Sequence, residues 1–188
     1  FLIRNGLQAR DRLGLICFHE SVWEEHNMIL CDARGKEMAL QSIEAMDAKG
    51  KTNLSAGLLT GLSMLTKRSN DEPSADEDDP FLPSRSDGVT SSSPQARGTK
   101  RVLFLLTDDA PNRGITDEAS ILSLSRDALE HAKRNNPKDN GASPHVFTFN
   151  FGNHHEHTPL KSLAQLCKGQ YHEVDSTSKI PNALALRI

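Results

Sequence analysis

The chain has 188 residues, of which 36% are hydrophobic and 25% charged, with a formal net charge of −3, the make-up of an ordinary soluble globule with one core. No run of lysine and arginine interleaved with aromatics occurs, so the electrostatic footprint of a nucleic-acid binder is missing. No apolar run reaches the ~18 residues that mark a membrane-spanning helix, so no membrane insertion is expected.

Three cysteines, Cys17, Cys31 and Cys167, are odd in number and lack metal-type spacing, which favours free thiols in a reducing, intracellular compartment. The chain opens on Phe1 rather than Met, which leaves an extracellular setting open.

Taken in order, Leu2 to Gln8 has helix-compatible apolar spacing, and Arg10, Asp11 and Arg12 turn the chain into a strand over Leu13 to Phe18. Val22 to Leu30 reads as a second strand, close enough to form an antiparallel hairpin, with His19 and His26 facing solvent. From Arg34 to Ala48, Met38, Ala39, Ile43 and Met46 mark one face of an amphipathic helix. After the polar segment DAKGKTN, Leu54, Leu58, Leu62 and Leu65 line a helix that starts near Asn53, a good N-cap type. Gly57 and Gly61 each cost ~1 kcal/mol inside a helix, which suggests a close approach to a sheet.

Between Lys67 and Thr99 the sequence becomes rich in Ser, Pro, Asp and Glu, so residues 69–99 are expected to be a disordered insertion within a single domain covering 1–188. Arg101 to Thr107, RVLFLLT, is a continuous apolar run, the signature of a strand covered on both faces. Asp117 to Asn135 is a helix with Ile121, Leu124, Ala128, Leu129 and Ala132 on one face. A strand over His145 to Phe151, a histidine-containing loop, a helix over Leu160 to Cys167, a strand over Gln170 to Val174 and a terminal helix from Ile180 to Leu186 complete the order. Strands alternating with helices predict an α/β, doubly wound, mostly parallel sheet with helices on both faces.

In such sheets ligands gather beyond the carboxyl ends of the strands. Asp108 and Asp109 follow the most apolar strand directly, either as ligands held at this rim or as solvated acids before a turn. Thr52 lies in the loop that opens the leucine helix, either as an oxygen donor to a cation or as an ordinary helix-start residue. His154, His155 and His157 follow another strand, but with no cysteine cluster nearby they read as a polar loop. No nucleophile elbow, phosphate-cradling glycine loop or His-Glu-x-x-His helix is present, and no enzyme is expected.

Four segments in this order, ARDRLGLICF, KGKTNLSAGLLTGLSML, VLFLLTDDAPN and LKSLAQLCKGQYHEVDSTSKIPNALA, resemble a von Willebrand factor type A domain over essentially the whole chain outside the insertion. The resemblance implies a protein-binding module with a divalent cation, Mg²⁺ (or Mn²⁺ or Ca²⁺), at the sheet rim and a partner protein that supplies a carboxylate to it. Of the family's three ligand motifs it carries over Thr52, the Thr before a later helix, and Asp108, the Asp of a Thr-Asp-Gly turn. Asp109 stands where the family has Gly and is expected either to add a second carboxylate or to point to solvent. The family's Asp-x-Ser-x-Ser motif has no counterpart here. The resemblance therefore implies that the first, central strand is missing from the chain, between LGLICF and VLFLLT, and that the cation is held weakly. The alternative is a structural scaffold domain of a larger intracellular protein, with a degenerate metal site. A metal-dependent hydrolase built on Asp108, Asp109 and the histidine loop is the weakest reading.

Overall fold

A computed structural model of the chain describes residues 1–47, 50–66, 100–135, 143–151 and 158–174. The insertion at 69–99, the loop with His154, His155 and His157 and the terminal helix expected over 180–186 lie outside the described residues.

The chain begins in a π-type turn, Leu2–Gly6, instead of the expected helix to Gln8. None of its residues is buried, so no packed face is there to extend it into regular α-helix. Strands β1 (Arg12–Phe18) and β2 (Val22–Leu30) then form the expected antiparallel hairpin, with Cys17 opposite Trp23 and Leu15 opposite His26. Helix α1 (Ala33–Ala45) is capped by Asp32, whose carboxylate accepts from the Gly35 N–H at 2.8 Å. Helix α2 covers Leu54–Thr66. The second half runs β3 (Val102–Thr107), α3 (Glu118–Asn135), β4 (His145–Phe151), α4 (Thr158–Leu166) and β5 (Tyr171–Val174).

Strands β3, β4 and β5 lie side by side in that order, all parallel, with Val102 level with His145 and Thr107 level with Asn150. Each crossover carries one helix, the βαβ arrangement that alternating strands and helices predict. Among the described residues the strands pair in two groups, with the break where the central strand is expected to be missing. β1 pairs with β2 alone and β3 with β4 alone, and among the described residues no strand lies between β1 and β3.

Helix α2 spans the interval. Its Gly57 faces Phe18 of β1 and its Gly61 faces Leu103 of β3. Leu54, Leu58 and Leu62 are buried together with Leu105, Ile121, Leu129, Val146, Leu160 and Leu163, so one core draws on both halves of the chain. On the hairpin, strand alternation puts Leu15 and its partner His26 on the side away from Phe18. There the His26 Nε2 meets the Ser42 hydroxyl of α1 at 2.9 Å. Helices thus flank the hairpin on both sides, α2 on one and α1 on the other.

The apolar face expected for α1 is only partly used. Ala39 is buried, while Met38, Ile43 and Met46 are 39%, 41% and 37% exposed. Among the described elements the helix rests mainly on β2 and the opening turn, too small a surface to cover a full stripe.

Strand β4 is the middle strand of its sheet. Val146 and Thr148 face the helices, and the Thr148 hydroxyl donates to the Leu160 carbonyl at 3.0 Å. The opposite face carries Phe104, Phe147, Phe149 and His172, with Phe149 and His172 stacked at 5.0 Å between ring centres.

The tight α2 contacts give a direct test. A methyl group on Gly57 would come within 2.6 Å of Cγ and Cδ1 of Phe18. Overpacking costs roughly 1–3 kcal/mol, against a helix-propensity gain of ~1 kcal/mol. Gly57→Ala should therefore lower the urea midpoint, whereas an alanine in an open helix position would raise it.

Candidate functional site

The carboxyl ends of β1 and β3 and the start of α2 bring three loops together at one rim. They are the turn at 19–21, the segment at 50–53 and the loop at 108–117. The middle segment holds the other two. The Thr52 N–H donates to Oδ1 of Asn112 at 2.7 Å, and the Thr52 carbonyl accepts from the N–H groups of Asn112 and Arg113 at 3.1 and 3.2 Å. On the other side the Asn53 N–H donates to the His19 carbonyl at 2.8 Å and its Nδ2 to the Glu20 carbonyl at 3.4 Å.

Asn53 is also the N-cap its residue type predicts, with Oδ1 accepting from the Ala56 N–H at 3.2 Å and from the Ser55 hydroxyl at 3.1 Å. The Ser55 oxygen in turn accepts from the Ile115 N–H at 3.1 Å. Gly114 closes the loop with φ +69°, and a Cβ there would lie 2.3 Å from Oδ1 of Asn53. Only glycine meets both demands, a left-handed backbone and no side chain.

The residues expected to hold a cation sit on this frame. Thr52 is half-buried, and among the described residues its hydroxyl has no hydrogen-bond partner. Asp108 is exposed and its carboxylate is likewise unpaired among the described residues. Hydrogen bonds therefore join the Thr52 segment directly to the loop that carries Asp108. Asp109 is exposed, and its carbonyl accepts from the Thr107 hydroxyl at 3.1 Å. Among the described non-glycine residues φ is positive only at Met28 and Lys168, so the turn at Asp109 does not need the freedom of glycine. Among the described residues no three His, Cys, Asp or Glu side chains gather into a metal-binding group.

Two histidines expected to face solvent do not. His19 is half-buried, its Nδ1 accepts from the N–H groups of Glu20 and Ser21, and its ring meets Trp23 edge-on at 4.7 Å. His26 is held by Ser42. His19 is held by its own turn and by Trp23 across the hairpin, whereas His26 pairs with a helix that sequence periodicity does not bring beside it. The exposed Trp23, whose Nε1 donates to Glu25 at 2.6 Å, places a large amphipathic ring close to the rim.

A further rim residue escapes sequence reading. Asn150, fully buried near the end of β4 and level with Thr107, has neither amide atom in a hydrogen bond of normal geometry among the described residues, and the Tyr171 hydroxyl on β5 is the polar group that interacts with it. A buried amide so placed costs roughly 1–3 kcal/mol. The one signal for it is a carboxamide side chain on the inward face of the run HVFTFNF, which it shares with Val146 and Thr148.

No family model matches the chain. Among curated proteins it is 27% identical over 165 residues to inter-alpha-trypsin inhibitor heavy chain H6 of Homo sapiens, covering 87% of this chain and 10% of that protein. It is 26% identical over 129 residues to heavy chain H1 of Sus scrofa, covering 68% and 12%, and 25% identical over 164 residues to heavy chain H3 of Homo sapiens, covering 86% and 15%. The chain thus spans between 10% and 15% of the length of these relatives. Among solved structures, the von Willebrand factor type A protein from Catenulispora acidiphila superposes with a TM-score of 0.62 at 11% identity, over 98% of this chain and 34% of that one. The conserved hypothetical protein BatB from Bacteroides thetaiotaomicron gives 0.54 at 13% identity, over 97% and 80%. At these identities the two structures speak for the fold.

The three cysteines are free thiols. Burial pushes Cys167 up to about 11 and also raises Cys17 and Cys31, the former helped by Glu25 and the latter by Asp11. At pH 8 about one Cys167 in a thousand is then thiolate, the reactive form. A disulfide reagent at that pH should leave Cys167 unmodified in the native protein and label it at once in denaturant, with site-resolved mass spectrometry as the readout.

Proposed function

We propose that the chain, whose fold and relatives are those of a von Willebrand factor type A domain, binds a partner protein through the rim formed by residues 50–53 and 108–117, with a divalent cation held by Thr52 and Asp108. Domains of this kind are in general protein-interaction modules. What carries the reading is the pinning of the Thr52 peptide by Asn112 and Arg113, which ties a hydroxyl to the loop that bears the Asp108 carboxylate, both without a partner among the described residues.

The donor set suits a hard cation. A hydroxyl and a carboxylate are oxygen ligands of the type Mg²⁺ takes, and Mg²⁺ keeps several waters, so few protein ligands suffice for a weak site. Mn²⁺ or Ca²⁺ would use the same oxygens. When bound, the cation would supply a local positive charge on which a partner carboxylate could complete the shell. The residues of this chain position and orient the ligands; the outcome is recognition rather than turnover. Asp109, exposed on the same turn, adds negative charge beside the site without being drawn into the hydrogen-bonded frame.

A second reading, a structural scaffold with a degenerate site, draws on the lack of any group of three acidic, histidine or cysteine side chains among the described residues. One titration separates the two. Mn²⁺ binding, followed by calorimetry, should be weak in the wild-type chain and weaker by at least about tenfold in Thr52→Ala and in Asp108→Ala, since even outer-shell changes cost 10- to 100-fold. Melting temperatures should hardly move, because both substitutions are at accessible positions outside the core. Equal affinity in all three proteins would remove Thr52 and Asp108 from the site, and no binding by the wild type would favour the scaffold.

A further inference from the structure

Thr52 and Asn112 are 60 residues apart in sequence and meet through two hydrogen bonds, and Arg113 adds a third to the Thr52 carbonyl. These take up both polar groups of the Thr52 backbone. Its N–H is received by the Asn112 side chain, and its carbonyl by two successive N–H groups of the 108–117 loop. With N–H and C=O both fixed, φ and ψ of Thr52 have little freedom left. The one remaining torsion that moves the hydroxyl is χ1, and a β-branched side chain is stiff there. The direction of the Thr52 hydroxyl is therefore set by the residue that grips its peptide.

That residue belongs to the other ligand's loop. Asn112 follows Asp108 by four positions, and the stretch between them includes Pro111, which restricts the backbone of the link. Beyond Asn112 the loop is anchored separately, by Gly114 against Asn53 and by the Ile115 N–H on Ser55. Removing the Asn112 side chain would leave those anchors and the two carbonyl bonds in place and free only the Thr52 N–H.

We propose that Asn112 is a positioning residue, which sets the Thr52 hydroxyl relative to the Asp108 loop and so pre-forms the rim for a cation. The inference rests on the metal-binding reading above and adds to it a residue outside the ligand set. Pre-formation matters most where ligands are few, because each ordering cost left to the moment of binding comes straight off a weak affinity.

The test has a metal-free arm and a metal arm. In the metal-free chain, amide hydrogen exchange is followed by NMR for the wild type, Asn112→Ala and Asn112→Asp. Exchange at Thr52 should quicken about tenfold or more in Asn112→Ala, as expected for the loss of a local hydrogen bond. It should return towards the wild-type rate in Asn112→Asp, which keeps an acceptor oxygen. The Ala56 amide, capped by Asn53, should not change and serves as the control for general loosening of the fold. In the metal arm, Mn²⁺ affinity should fall about tenfold in Asn112→Ala, the usual cost of losing an outer-shell support. Unchanged exchange at Thr52 overturns the proposal, and so does full Mn²⁺ affinity in Asn112→Ala when the wild type binds. A wild type that binds no Mn²⁺ overturns the cation part of both readings, and the exchange arm still decides whether Asn112 fixes the Thr52 segment.

Discussion

The start of helix α2 is the point on which the rest of the arrangement depends. Two sheets that share no strand pairing are joined there, by hydrogen bonds from Thr52 and Asn53 to loops on either side and by the packing of α2 across the interval. Directional bonds at the rim and non-directional burial below it perform different tasks. The buried leucines of α2 hold the halves together, since full burial of a leucine contributes about 1.5–3 kcal/mol. They tolerate small slides of one surface over another. The bonds to Thr52 and Asn53 do not, and they fix the register of the loops.

The same helix shows why its composition is unusual. A helix lying flat on two sheets cannot keep large side chains at every contact, and at Gly57 and Gly61 the neighbouring Phe18 and Leu103 occupy the space a Cβ would need. Each glycine gives up helix propensity to let β1 and β3 approach. The loss of ~1 kcal/mol per residue is offset by the burial of Leu54, Leu58 and Leu62 alongside. Helix α1 is the contrast. Packed mainly on β2 and the opening turn, it leaves Met38 and Ile43, and Met46 at its C-cap, more than a third exposed.

Much of this was legible from the residues because local signals and tertiary demands agree. The run VLFLLT is a parallel strand, Asn53 caps α2, and the spacing of Leu54, Leu58 and Leu62 is the buried face. Where they diverge, the sequence alone misleads. Periodicity marks Met38, Ile43 and Met46 as core because it registers amphipathicity and carries no information on how large the covering surface is. Spacing leaves His19 and His26 in solvent because it carries no information on the turn geometry that aims the Glu20 and Ser21 N–H groups at His19, or on the packing of α1 that brings Ser42 to His26. Asn150 was passed over because alternation ranks positions by hydrophobicity, and a single amide within HVFTFNF does not change the pattern. The pairing of Thr52 with Asp108 came from resemblance to a family; the bonds from Thr52 to Asn112 and Arg113 are a feature of the folded chain that no spacing rule contains.

Those bonds bear on why a recognition site suits this rim. Loops at a sheet edge are the usual seat of function because the scaffold below can be rigid while the surface varies. Here the rigidity extends into the loops themselves: Gly114 adopts a backbone few residues can take, and Ser55 passes hydrogen bonding from Ile115 to Asn53. A loop tied in this way has little entropy left to lose on meeting a partner, and lost ordering entropy is a principal cost of association. The Thr52 hydroxyl and the Asp108 carboxylate, unpaired among the described residues, are thus held by neighbours that do not compete with a ligand for their oxygens. The arrangement separates the atoms that would bind from the atoms that hold them in place.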